Sequence, residues 1–199
     1  MLDEENLRSR CKWANLGEVP DLPFKSFDEL TESLKNGIYH LELSYPAARE
    51  LAPVVRTSLG QIINLTLLLS PWLMIVLVLG ATFWLGMYVI LLGIPIALIS
   101  HFFGNPMMPG HNFFRIVHLL AVVVFSFMLW HGYQTASWLL ASAIFPFLSN
   151  VMMYRGNVAA LDRATRRSEP LFLYLYEKGA LRLRNTDTGK EYWNVGTSA

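Results

Sequence analysis

The chain carries a single formal charge, Arg115, in the whole of its middle part, from Thr57 to Tyr154. This stretch of 98 residues lies between two segments that hold every Asp and Glu of the chain and all its other Lys and Arg residues. A soluble core of that length has to present charged side chains to water, whereas segments that cross a bilayer carry few charges. The sequence therefore predicts a membrane domain over residues 58–154, with polar tails over 1–57 and 155–199.

The balance of charge limits the partners that the tails can have. The net charge of the 199 residues is +1, so basic and acidic residues nearly cancel. Nucleic-acid binding needs a basic surface, and this composition does not predict one. The only cysteine, Cys11, rules out a disulfide within the chain and a four-cysteine metal site.

The first half of the apolar stretch is long enough for two membrane crossings. Residues 62–103 are 42 uncharged residues, about twice the length that one helix needs to cross a bilayer. We expect helices near 60–79 and 83–103, with a turn at Gly80-Ala81-Thr82 between them. An alternative topology treats this run as a re-entrant pair that never reaches the far side, which leaves two crossings in the chain.

The second half predicts another hairpin. The segment from Gly104 to His111 contains two prolines and two glycines, where a helix cannot continue. Helices near 113–131 and 136–154 follow, joined by a short turn at Gly132-Tyr133-Gln134. The predicted fold is therefore an all-α membrane fold, a four-helix transmembrane bundle made of two tight hairpins.

The distribution of basic residues predicts the orientation. Seven Lys and Arg residues precede the first predicted helix, eight follow the last one, and Arg115 lies beside the middle loop. Basic residues near membrane helices favour the cytoplasmic side. We expect a multi-pass protein of the bacterial inner membrane with both termini in the cytoplasm.

The N-terminal tail predicts short helices and one strand. A helix is expected over 3–14, and Ser26 followed by Glu29 is a capping box at the start of a second helix. The alternation in Ile38–Leu43 predicts a half-buried strand. Pro46 can open a helix, which we expect to continue through Arg56 into the first membrane helix.

The C-terminal tail predicts a β-hairpin or meander. Leucines alternate with aromatic residues over 171–176, and leucines alternate with arginines over 181–184. A further turn leads to a third strand at 191–193. Three short strands are marginally stable alone and need another element to cover their apolar face. The N-terminal strand and helix can cover it, which would form a small cytoplasmic α+β cap. Alternatively, a partner's sheet can cover it. The aromatic residues of these strands are the predicted docking surface for a partner: Phe172, Tyr174, Tyr176, Tyr192 and Trp193.

Histidines are the residues of the membrane domain that could hold a cofactor. His101 and His118 are expected at similar depth on neighbouring helices, as axial ligands of a b-type haem would be. The middle loop offers a second set, with the imidazole and thioether ligands that suit copper: His101, Met107, Met108 and His111. In both cases the ordinary alternative is a histidine or methionine with a structural role.

Five arginines near the membrane helices are candidates for contacts with lipid head groups or other anions, or for topological anchors. They are Arg115, Arg155, Arg163, Arg166 and Arg167. A strip of small residues offers a packing face on the second helix: Gly86, Gly93, Ala97, Ser100 and Gly104.

These features together favour a scaffold or accessory subunit that docks a larger membrane or cytoplasmic assembly, without enzymatic activity of its own. The alternative is an oligomeric channel or transporter whose helices are broken by proline. Its expected prolines and polar lining are Pro71, Pro95, Pro146, Asn64, Thr66, Ser70 and Ser126. A haem or copper protein is the third hypothesis.

Overall fold

The computed structural model describes residues 4–20, 22–105 and 111–194, and it is mostly helical, at 72%, with one small sheet. It divides into two compact units. The terminal unit combines Met1–Arg56 with Asn157–Ala199, and the apolar unit is Thr57–Gly156.

The terminal unit contains short helices and three strands. They are α1 Glu4–Arg10, a 3-10 helix Leu16–Glu18, α2 Phe27–Lys35, β1 Tyr39–Leu43, α3 Tyr45–Val55, α9 Glu169–Glu177, β2 Leu181–Asn185 and β3 Glu191–Trp193. The apolar unit contains α4 Ser58–Leu68, α5 Ser70–Leu85, a 3-10 helix Tyr88–Leu92, α6 Gly93–Phe103 and α7 His111–Trp130. Helix α8, Gln134–Thr165, begins in the apolar unit and ends in the terminal unit.

One sheet joins the two tails, as in the prediction that the N-terminal strand covers the C-terminal strands. Its strand order is β1-β2-β3, and both pairs are antiparallel. Leu41 pairs with Leu183 on the buried face, while Glu42 pairs with Arg182 on the other face. Alternating polarity therefore produces a sheet with one apolar face, on which the N-terminal helices and α9 pack.

Helix α9 corrects the prediction of a strand over 171–176. Phe172 and five other residues of α9 are buried, so this short helix is surrounded by protein on most sides. In this segment leucines alternate with aromatic residues, so the alternation is one of shape and not of polarity. A continuous apolar run of this kind suits a buried helix as well as a strand. The Ser168 hydroxyl accepts a hydrogen bond from Leu171 N, and Pro170 lies in the first turn; both are helix-start signals.

The predicted first two N-terminal helices and the strand correspond to α1, α2 and β1, with differences in detail. Ser26 caps α2 by accepting from the Glu29 N–H, but the Glu29 carboxylate accepts from Lys25 N rather than from Ser26 N. Helix α1 ends at Arg10 instead of residue 14, and residue 3 lies outside the described residues.

Helix α3 does not continue into the first apolar helix, contrary to the prediction. Arg56 and Thr57 both have extended backbones, and the Thr57 hydroxyl caps α4 by accepting from Gly60 N at 3.3 Å. A side chain that satisfies the first free N–H groups favours a new helix start over continuation.

The first apolar hairpin turns later than predicted. Gly80, Ala81 and Thr82 lie inside α5, and the turn follows at Gly86, whose φ is +66°. That left-handed conformation favours glycine, whereas Gly80 sits in ordinary helical backbone. Helices α4 and α5 meet at an angle of 52°.

Two of the three prolines that were expected to break helices lie at helix starts. Pro71 is in the first turn of α5, and Pro95 is the third residue of α6. A proline there loses no helical hydrogen bond, because the first N–H groups of a helix have no acceptor. Pro146 alone lies inside a helix, in α8.

Small residues of α6 pack closely against α8. A Cβ added to Gly93 would lie 2.5 Å from the Ser142 hydroxyl, and one added to Gly104 would lie 2.9 Å from the Phe147 carbonyl oxygen. Ala97 and Ser100 are buried between them. The close approach of the two helices depends on these positions lacking larger side chains.

The turn after α5 and the turn between α7 and α8 lie at the same end of the apolar unit. The Thr135 hydroxyl, after the α7–α8 turn, donates to the Met87 sulfur, after α5, at 3.1 Å. At the opposite ends of these helices Phe103 stacks on Phe114, with ring centroids 3.9 Å apart. The two hairpins are therefore aligned side by side.

By length and composition, two helices of the described residues could cross a membrane, α7 and α8. The bent pair α4 and α5 would make a third span if it acts as one. The segment Tyr88–Phe103 is apolar but shorter.

Candidate functional site

His118 is the one residue of the predicted haem pair that is fully inside the protein, with 6% of its surface exposed. Its Nδ1 lies 2.7 Å from the Phe114 carbonyl oxygen, one turn earlier on α7. A carbonyl only accepts, so this bond assigns a proton to Nδ1 and makes Nε2 the nitrogen that is left for a ligand or another partner. Nε2 is buried and has no hydrogen-bond partner in the part of the chain that the structure describes.

The His118 ring is held in place by α8. It stacks on Phe147 with ring centroids 3.8 Å apart and planes 12° from parallel. His118 therefore links α7 to the turn of α8 that contains Pro146.

His101 lies against that same turn of α8. Its ring is hydrogen-bonded to the Pro146 backbone, and its own carbonyl accepts from the Asn150 amide at 2.7 Å. Its Nδ1 is buried without a partner among the described residues. The structure thus brings both histidines to one turn of α8, although no ring contact joins them within those residues.

The arrangement offers two acceptor nitrogens and no larger ligand set. Within residues 4–20, 22–105 and 111–194, no group of three or more His, Cys, Asp or Glu side chains is placed to hold a metal ion. Of the predicted copper ligands, Met107, Met108 and the side chain of His111 lie outside what the structure describes. The haem and copper predictions remain predictions.

The five candidate arginines are not equivalent. Arg166 is paired with Asp162 at 3.0 Å, and the Nε–H of Arg163 donates to the Ala159 carbonyl. Arg115, Arg155 and Arg167 are exposed. Exposed guanidinium groups remain suited to phosphate contacts, whereas the ion pair makes Arg166 the weakest candidate.

The structure adds Arg56, which the sequence analysis did not single out. Burial, and to a lesser extent the neighbouring Arg163 guanidinium, lower the pKa of Arg56. Two cations that approach each other form a local positive patch in the terminal unit. The signal in the sequence was its position, directly before the first apolar helix.

The predicted aromatic docking surface is divided by the fold. Phe172 and Tyr176 are buried in the core of the terminal unit, where Phe27 and Trp13 contact them. These two rings therefore cannot form an exposed docking surface, because the chain's own N-terminal segment covers them.

The other three aromatic residues are more accessible. Tyr174 and Tyr192 are partly buried, and Trp193 is exposed on the polar face of the sheet with the Arg182 guanidinium 4.5 Å from its ring centre. Only the polar sheet face around Trp193 keeps the docking role that the whole set was predicted to have.

Helix α7 presents a large apolar face that the described residues leave unpacked. Only 6% of its apolar segment is buried inside the protein, compared with 44% of the apolar segment of α8. Its inward contacts come from Phe114, His118 and Phe125, which lie on one side at helical spacing. The outer face consists of exposed residues at the same spacing: Ile116, Leu119, Leu120, Val123, Phe127 and Trp130.

An apolar slot of about 580 Å³ lies between α4, α5, α7 and α8. Its walls include Ser70 and Leu77 from α5 and Ala141 from α8, and none of the lining residues is charged. The volume is within the range of about 300–1,000 Å³ that is usual for small-molecule sites.

No protein-family model matches the chain, and no curated protein and no solved structure matches it either.

Proposed function

We propose that the protein is an accessory subunit of a larger membrane assembly, embedded through the apolar unit and bound to its partner by the outer face of α7. The proposal places it in a bacterial inner membrane with both termini in the cytoplasm. Helices α7 and α8 are two crossings, the bent pair α4–α5 is a third, and Tyr88–Phe103 is the fourth.

The alignment of the hairpins supports four crossings. The contact between Met87 and Thr135 brings the two turns to one end of the unit, as two parallel hairpins require. Large exposed aromatic residues flank these turns: Trp84, Tyr88, Trp130 and Tyr133. Tryptophan and tyrosine favour the membrane–water interface, so these side chains fit a belt at one membrane surface.

The observation that carries the proposal is the outer face of α7. A helix with little contact inside its own chain is stabilised by lipid or by another polypeptide. In membranes, helices associate through packing and not through the hydrophobic effect, so a partner must offer a complementary surface. The terminal unit adds a folded domain with a polar, arginine-bearing sheet face, which is a second surface suited to a protein partner.

Photo-crosslinking in native membranes tests the proposal. A photoreactive amino acid at Val123, which is 68% exposed on α7, should crosslink to one foreign polypeptide. The matched control is Val76, which is 67% exposed on α5, and it should label lipid alone. Lipid adducts at both positions would contradict a partner on α7.

A second candidate function is an oligomeric channel or transporter. The 52° break between α4 and α5 supports it, because helices broken within a membrane often surround a transport site. The Ser70 hydroxyl lies at this break, buried and without a hydrogen-bond partner in the described residues. Crosslinking of Val123 to a second copy of this chain would favour this function over the accessory role.

A further inference from the structure

The slot between α4, α5, α7 and α8 follows one face of α8 over most of its apolar part. Its α8 wall is formed by residues at helical spacing: Gln134, Ser137, Trp138, Ala141, Phe145 and Ser149. On α5 the wall residues Ser70, Leu73, Met74 and Leu77 repeat in the same way. The two facing stripes leave space that the chain's own side chains do not fill, in contrast to the usual density of protein interiors.

The dimensions of the slot indicate what can occupy it. The α8 stripe from Gln134 to Ser149 is about 22 Å long at 1.5 Å per residue. A volume of 580 Å³ over that length corresponds to a slot less than about 8 Å wide. An α-helix is about 10 Å across and cannot enter, whereas a single methylene chain, with neighbours at about 4 Å, fits.

The chemistry of the walls indicates the same occupant. No charged residue lines the slot, and the polar lining is limited to hydroxyl groups and one amide. Water is unfavourable in such a space, because it finds too few hydrogen-bond partners, whereas apolar chains are retained. Gln134 is exposed and lies beside the turn that bears Trp130 and Tyr133, so the slot opens at the aromatic end.

We propose that this slot binds one acyl chain of a bilayer phospholipid, with the head group at the Gln134 end and the chain end towards Ser149. This rests on the membrane embedding of the apolar unit in the proposed function. The bound chain completes the packing between α5 and α8 and fixes the angle at which α4 and α5 meet.

The test uses the full chain, purified and reconstituted in phosphatidylcholine vesicles that contain a phosphatidylcholine with a diazirine near the end of one acyl chain. After illumination, adducts should concentrate in residues 137–149 of α8 and at the slot residues of α5, which are Ser70, Leu73, Met74 and Leu77. The outer face of α7 reports contact with bulk lipid and should carry at least tenfold fewer adducts per residue. Equal labelling of α7 and the slot would overturn the proposal.

Variants that fill the slot make the test specific. Ala141→Phe should reduce slot labelling at least tenfold, and Leu77→Trp provides a second filling at a half-exposed position if Ala141→Phe fails to fold. Val76→Trp, a neighbouring position outside the slot, is the control and should leave labelling unchanged. Labelling that survives filling, or that is lost in the control, would contradict the site.

A competition arm separates the two sources of acyl chain. Excess oleic acid should leave phospholipid labelling of the slot unchanged, and displacement of the label would assign the slot to a free fatty acid and overturn the phospholipid proposal. Because these vesicles contain no partner protein, the result is independent of whether Val123 crosslinks to a foreign subunit.

Discussion

The fold of the terminal unit changes the acidity of one side chain, the thiol of Cys11. Its thiol is partly buried, and its sulfur lies 3.7 Å from the Pro170 carbonyl oxygen. Burial, and secondarily the negative charge of Glu177, raise the pKa of this thiol. The thiolate is the reactive form, so Cys11 should be less reactive at neutral pH than an exposed thiol.

The rate of alkylation by iodoacetamide tests this environment. In the native chain the rate should rise with a midpoint above the usual thiol range of about 8.5. Glu177→Gln should move the midpoint to lower pH, because it removes the negative charge. The substitution keeps an oxygen that can accept the hydrogen bond from the Lys12 N–H. Glu18→Gln is the control. An unchanged midpoint in Glu177→Gln would contradict the charge contribution.

Substitution of Gly104 tests the packing of α6 on α8, and substitution of Gly80 in α5 is the control. Gly104→Ala places a Cβ against the Phe147 carbonyl oxygen, so one helix has to shift, and we expect a loss of about 1–3 kcal/mol in the free energy of unfolding. Gly80→Ala meets no atom within 4 Å and should be neutral or stabilise by up to about 1 kcal/mol. Denaturant titration in mixed micelles measures both. Equal effects would contradict the close contact.

At the scale of elements, the sequence predicted best where one physical constraint acts alone. A stretch without charges identifies apolar helices directly, and the Ser26 capping box identifies the start of α2. The turn near Gly86 was missed because a glycine that needs positive φ looks the same in sequence as Gly80, which does not. The environment of His118 was missed for a different reason, since it arises from contacts with α8, far along the chain.

Helix α9 is the element that was most clearly mispredicted, and substitutions distinguish the two structures. In a strand, Phe172 and Tyr174 would share one face and have similar effects when truncated. In the helix, Phe172 is 0% exposed and Tyr174 is partly exposed. Phe172→Ala should therefore cost about 3–5 kcal/mol, and Tyr174→Ala less than about 2 kcal/mol.

Chemical denaturation of the full chain in detergent provides the comparison for α9, with circular dichroism as the probe. Tyr174→Phe is a useful control, because it keeps the ring and removes only the hydroxyl. Similar losses for the two alanine variants would favour the strand over the helix.

At the scale of the whole molecule, the number of crossings determines where the termini lie. In a Cys11→Ser background, single cysteines at Ser9 and Lys190 should react with an impermeant maleimide from the cytoplasmic side. Cysteines at Tyr88 and Tyr133 should react from the other side. Three crossings would place Ser9 and Lys190 on opposite sides, and a re-entrant first pair would protect Tyr88 from the far side.

The composition of the intact assembly tests the accessory role. The protein should be extracted from native membranes in mild detergent and its complex measured by native mass spectrometry. We predict one foreign subunit in fixed stoichiometry, and its loss when Leu119 and Val123 on the outer face of α7 are replaced by tryptophan. A homo-oligomer of this chain without any foreign subunit would contradict the accessory role and favour a channel or transporter.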